Sequence, residues 1–258
     1  MDMDWSRLTH AYGSAAGLPE LFEAVGDPES ADWAWEKLWS SLYHQGTVYP
    51  ASFAVLPVLT HIAAGRSPGD HRHAIALAGA IVAKEEQLHE RGYVRARYAA
   101  ELDELRRSTL HRLTAEAFEA DDHTCLYPLE CLLAFEGERV WSDRLLPASH
   151  DVECPSCSQS LEIDVGGGDS GTRRRDPQRR IIRVNRRGPA LTGVTPAEPV
   201  ELPPLAARLH GMAVAAGQPL AADHLTRLFG RTTCPDCAED FSVAEQIERY
   251  FLRSGTES

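Results

Sequence analysis

The sequence predicts a mostly α protein: an α-solenoid of paired helices over residues 1–148, then a zinc-clamped region, 149–258, containing a small β-hairpin and further helices. Three observations predict it. Before residue 148, apolar side chains recur at three-and-four spacing in segments of about ten to fifteen residues joined by short turns. In the second part stand two knuckles, Cys154-Pro155-Ser156-Cys157 and Cys234-Pro235-Asp236-Cys237. After the first knuckle, Leu161, Ile163 and Val165 alternate with polar residues at the period of a strand.

The lead, 5–17, is punctuated by Gly13 and Gly17. A helix follows over 18–26, with Pro19 in its first turn, where a missing N–H is harmless, and Gly26 at its end. A second helix is expected over 32–45 with Asp32 as N-cap; Trp35, Leu38, Trp39 and Leu42 make one buried face. The third, 51–65, is apolar on most sides and is bent or restarted at Pro57. A fourth spans 70–84, a long charged helix 91–120, and an apolar one 123–136. No strand signal appears before residue 150.

Three stretches carry a resemblance: His10-Ala11-Tyr12-Gly13, His44-Gln45-Gly46-Thr47-Val48-Tyr49, and the Ala/Ser-rich helix after it, which ends in Pro-x-Leu at Pro57 and Leu59. Across residues 4–135 the chain resembles the opening of actinobacterial HEAT-repeat-like proteins. The resemblance implies stacked helix pairs that bind another macromolecule, and it implies no reaction. The length of the 91–120 helix and the knuckles that follow depart from a regular array.

In the second part, Gly166 to Gly171 reads as a flexible linker. Ile181, Ile182 and Val184 offer a strand to pair with 161–165 as a hairpin, and the Pro-rich stretch 188–204 reads as extended. Residues 166–200 together form a flexible Arg-rich insertion. Helices are expected over 203–216, 219–229 and 242–253, the last with Ser242 as N-cap and Glu245 completing a capping box.

Two thiolates separated by two residues turn back onto one ion, and two such pairs fill a tetrahedron. Cys154, Cys157, Cys234 and Cys237 are therefore expected to ligate a structural Zn²⁺, clamping the ends of the 76-residue stretch 158–233. Cys125 and Cys131, six apart on an apolar helix, do not share a face and read as buried free thiols. In Asp70-His71-Arg72-His73, Asp70 is an N-cap and the two histidines face different sides, so no metal site is assigned there. His10, His44 and Tyr49 are expected to tie one turn to the next by hydrogen bonds, with a partner or small ligand as the other reading. Glu85, Glu86, Glu90, Glu101, Asp103 and Glu104 lie on charged helix faces; Asp103–Arg107 and Glu104–Arg107 are ordinary surface ion pairs. No phosphate loop, dinucleotide fingerprint, nucleophile elbow or HExxH is present.

The net charge of −12 speaks against a general nucleic-acid or anionic-membrane binder. It is unevenly spread. Residues 172–187 hold eight Arg and one Asp, leaving 18 basic against 37 acidic residues elsewhere. This basic tongue lacks interleaved aromatics and reads first as a solvated loop, with docking onto the chain's own acidic helices or an acidic partner, and nucleic-acid binding through Arg173–Arg187, as the alternatives. No run of apolar residues spans a membrane and no signal pattern opens the chain, so a cytoplasmic protein is expected. The function expected is a non-enzymatic protein-interaction module, adaptor or immunity-like, with a protein partner.

Overall fold

The computed structural model describes residues 3–115, 125–166, 171–174 and 192–254, and it is mostly helical with small antiparallel sheets. The chain divides into two compact units, the first Met1–Glu116 with Tyr127–Arg144, the second Ala117–Leu126 with Leu145–Ser258. No helix of the described residues is long and apolar enough to cross a membrane.

The first unit opens with α1 (Leu18–Ala24), which packs on α2 (Ala31–Leu42). Helix α2 starts one residue before the expected Asp32; Ser30 takes the N-cap position, and its hydroxyl donates to the Ala24 carbonyl at 3.0 Å. The expected third helix is two, α3 (Pro50–Ala54) and α4 (Leu56–Ala63), broken at Val55 ahead of Pro57. Helix α5 (His71–Val82) packs on α4, and Asp70 caps it by accepting from the Arg72 amide at 2.6 Å. The expected single helix over 91–120 is also two, α6 (Tyr93–Arg97) and α7 (Ala99–Ala115), because Tyr98 leaves the helical region (φ −129°, ψ 34°). Helix α8 (Leu126–Glu136) and the short α9 (Trp141–Arg144) complete the helices. Trp35, Leu38, Leu42, Phe53, Leu56, Ile75, Leu105 and Phe135 are among the residues of one apolar cluster, each almost fully buried.

Two hairpins in this unit contradict the expectation that no strand precedes residue 150. Strands β1 (Thr9–His10) and β2 (Gly13–Ser14) pair, as do β3 (Tyr43–His44) and β4 (Thr47–Val48). The second turns through Gln45 and Gly46, both at positive φ (51° and 84°), as a two-residue hairpin loop requires. Strands of two residues carry no alternation, so the period-two signal has nothing to register.

The second unit contains a four-stranded antiparallel sheet in the order β5 (Ser149–Glu153), β6 (Ser160–Asp164), β7 (Gly171–Arg174), β8 (Thr192–Gly193). Strand β6 buries Leu161 and Ile163 as the alternation predicts. Its partners among the described residues are β5 and β7; the expected strand at 181–184 lies outside the described residues. Within the expected flexible insertion 166–200, residues 171–174 and 192–193 are strands and Pro199–Glu201 is a 3₁₀ turn. Helices α10 (Pro204–Ala215) and α11 (Pro219–Leu228) pack against each other. The hairpin β9 (Arg231–Thr233) and β10 (Asp240–Ser242) leads into α12 (Val243–Ser254). The Glu245 amide donates to the Ser242 hydroxyl at 3.4 Å, and α12 lies on β5.

Candidate metal centre

Each knuckle sits at the tip of a hairpin, between β5 and β6 and between β9 and β10, and the two are built alike. In the first, the Cys154 amide donates to the Gln159 carbonyl (2.9 Å) and the Ser158 amide to the Cys154 carbonyl (3.0 Å). In the second, Cys234 donates to Glu239 (2.8 Å) and Ala238 to Cys234 (3.0 Å). Proline after the first cysteine pre-sets the turn's φ in both. The residue after the second cysteine is left-handed in both, Ser158 at φ 58° and Ala238 at φ 60°. Non-glycine residues rarely adopt that conformation. Finding it at the same place in both knuckles marks a turn shaped to bring two sulfurs to one side.

What joins the two hairpins is the short segment 192–195. On one side β8 pairs with β7; on the other Thr195 forms an isolated bridge with Arg231. The Thr192 hydroxyl donates to the Thr233 carbonyl, and the Thr232 hydroxyl to that of Gly193 at 3.2 Å. Gly230 has no room for a side chain, because a Cβ would run into the Thr195 carbonyl. The second hairpin is thereby sewn to the four-stranded sheet, and its knuckle is carried to the first.

The four Sγ atoms lie within 4.8 Å of one another. Cys154 stands 3.6 Å from Cys237, and Cys157 stands 3.8 Å from Cys234. Sulfurs about 2.3 Å from a central ion at tetrahedral angles are about 3.8 Å apart, whereas a disulfide would need about 2.05 Å. The geometry fits a four-thiolate metal site. Cys154 and Cys234 are buried and Cys157 and Cys237 exposed, so the site has one inner and one outer ligand from each knuckle.

The clustered thiols do not ionise alike. Burial pushes the Cys154 thiol up, but the amides of Cys157 and Ser156 and the thiols of Cys157 and Cys237 outweigh it, and the net shift is downward. Burial pushes Cys234 up, and the Cys154 sulfur adds to that against the amides of Asp236 and Cys237. The crowded thiols therefore shift in opposite directions, Cys154 down and Cys234 up.

The remaining candidates fall elsewhere. Cys125 and Cys131 are both buried, and burial lifts the Cys125 thiol to about 11 and drives Cys131 higher still. In the first unit Cys131 fits against Gly79, where a Cβ would come within 2.5 Å of its sulfur. His71 and His73 do diverge: His73 stacks on Trp35 with ring centroids 5.2 Å apart, while His71 lines a cleft beside α7. Glu104 pairs with Arg107 at 2.7 Å and Glu86 with Arg139 at 2.6 Å.

The expected ties between turns involve two residues that the sequence reading did not single out. Tyr12 links the hairpins: its hydroxyl bonds His44 Nδ1 at 3.2 Å, and its amide donates to His10 Nδ1 at 3.0 Å. Gln87 holds the second hairpin by accepting from the Val48 amide (3.0 Å) and donating to the Gly46 carbonyl (2.8 Å). Gln87 lies 39 residues from Val48, and no local signal marks it. Tyr49 contributes its amide, which donates to the Ser52 hydroxyl at 2.9 Å.

No family model, curated protein or solved structure matches this chain.

Proposed function

We propose that the four cysteines hold one zinc ion in a structural role. We further propose that the chain is a non-enzymatic protein-interaction module, adaptor or immunity-like, whose partner docks on the helical first unit. The observation that carries the metal reading is the cluster of four sulfurs, all within 4.8 Å of one another. Four protein ligands leave no position for water or substrate, which is the mark of a structural rather than a catalytic centre. A four-sulfur set suits zinc and iron alike. Zinc is preferred because a clamp needs no redox change.

On the helical unit, Tyr12 and Trp33 stand out at 65% and 53% exposure. Tyrosine and tryptophan are the residue types that most often anchor protein interfaces. Helices α1 and α2 pack together, as do α4 and α5; a HEAT-like stacking of this unit is part of the proposal and rests on the resemblance of residues 4–135.

Affinity capture from lysate tests the reading. A partner protein should be retained after nuclease treatment and lost with Tyr12→Ala or Trp33→Ala. A second reading, nucleic-acid binding through Arg173–Arg187, draws on β7, which places Arg173 and Arg174 on the same sheet as the first knuckle. It predicts capture that nuclease abolishes and that Arg→Ser changes across 173–187 remove.

A further inference from the structure

Within the first unit a cleft of about 490 Å³ opens between the end of α4, the start of α5 and one face of α7. Its α7 wall is Glu104, Arg107, Ser108, His111, Arg112 and Ala115. Those positions follow the i, i+3, i+4, i+7 rhythm of a single helical stripe. The stripe runs beside the apolar seam Leu102, Leu105, Thr109 and Leu113, which is buried. Helix α7 therefore has two specialised faces, one committed to the core and one turned to the cleft. The opposite side is small and apolar, with Ile62, Ala63, Ala64 and Gly65, closing at Gly69 and His71.

The charge of this lining runs against that of the chain. Among the described cleft residues Glu104 is the single carboxylate, and it lies between two guanidinium groups, Arg107 at 2.7 Å and Arg66 at 3.4 Å. Arg112, His71 and His111 add further positive or protonatable groups. Among the described residues the cleft thus places the Arg107 guanidinium beside one charge-paired carboxylate in a protein of net charge −12. A hydroxyl, Ser108, and an apolar floor complete a lining in which an anionic head and a small hydrocarbon body both find matching surface.

We propose that this cleft is a binding site for a small organic anion bearing a phosphate or carboxylate group, with Arg107 and His111 among its contacts. Glu104 then acts as a place-holder that occupies Arg107 until the ligand's anionic group displaces it. This site is independent of the cysteine centre and of the interaction role proposed above.

The test is an NMR titration of the full-length metal-loaded protein at constant ionic strength, using inorganic phosphate and citrate as separate probes. Saturable shifts confined to residues 62–71 and 104–115 are expected, with a dissociation constant of about 1 mM. Citrate binding tighter than phosphate identifies a carboxylate ligand, and the reverse a phosphate one. Arg107→Gln should weaken binding about tenfold, and His111→Gln should weaken it as well. Glu104→Gln should tighten binding about threefold, while Glu20→Gln, the same charge change on α1, should leave it unaltered. Non-saturable shifts with both probes, or equal responses from Glu104→Gln and Glu20→Gln, would overturn the proposal.

Discussion

At the scale of single residues, the six cysteines separate into two chemical populations. Four converge on one point, and two are isolated thiols raised by burial, Cys125 to about 11. A raised thiol favours the folded state through its neutral form. Its contribution is complete below the ordinary thiol value and is lost as pH climbs through that value toward about 11. Stability should therefore decline over this alkaline interval, and Cys125→Ser should remove part of the decline. Cys131, Tyr43, Tyr98 and Tyr127, which burial also pushes up, add to the decline. Alkylation mapped by mass spectrometry separates the populations directly. Chelated protein should label at Cys154, Cys157, Cys234 and Cys237 while Cys131 stays unmodified until denaturant is added. Early labelling of Cys131 would mean that its site against Gly79 is open.

At the scale of elements, two helical glycines give opposite predictions for the same substitution. Ala is the better helix former by about 1 kcal/mol. At Gly211 in α10 nothing lies within 4 Å of an added Cβ, so Gly211→Ala should stabilise by about 0.5–1 kcal/mol. At Gly79 in α5 the Cβ would meet Cys131 Sγ at 2.5 Å and its Cα at 3.0 Å. There the sign reverses, and Gly79→Ala should cost about 1–3 kcal/mol. Urea midpoints measure both. The same contrast between local and tertiary causes explains what could be read from the sequence. Helix existence, the Asp70 and Ser242 caps, the break near Pro57 and the β6 alternation all depend on neighbours in sequence. The break at Tyr98 has no proline or glycine to announce it. The two short hairpins are below the length at which alternation appears. Strand β7, which pairs with β6, is a Gly-Thr-Arg-Arg stretch with no apolar residue, so no alternation announces it.

At the scale of the whole molecule, the four-cysteine cluster was legible because each Cys-Pro-x-Cys is local. The means of uniting them was not. It lies in Thr192, Thr195 and Thr232, whose pairings across 36 to 41 residues leave no periodic trace. The metal proposed at this cluster would join two hairpins far apart in the chain and should carry much of the second unit's stability. Structural zinc contributes on the order of 10–16 kcal/mol in small peptides. Chelation should lower the melting temperature of that unit by at least about 15 °C and expose 149–258 to protease, with the helical first unit retained. Because the thiols must ionise to bind, acid should release the metal and produce the same state. X-ray absorption at the metal edge of the purified protein tests the centre most directly. One zinc per chain with four sulfurs at about 2.3 Å is the predicted result. A metal-free protein whose cysteines pair as disulfides, or a shell containing oxygen or nitrogen, would contradict it.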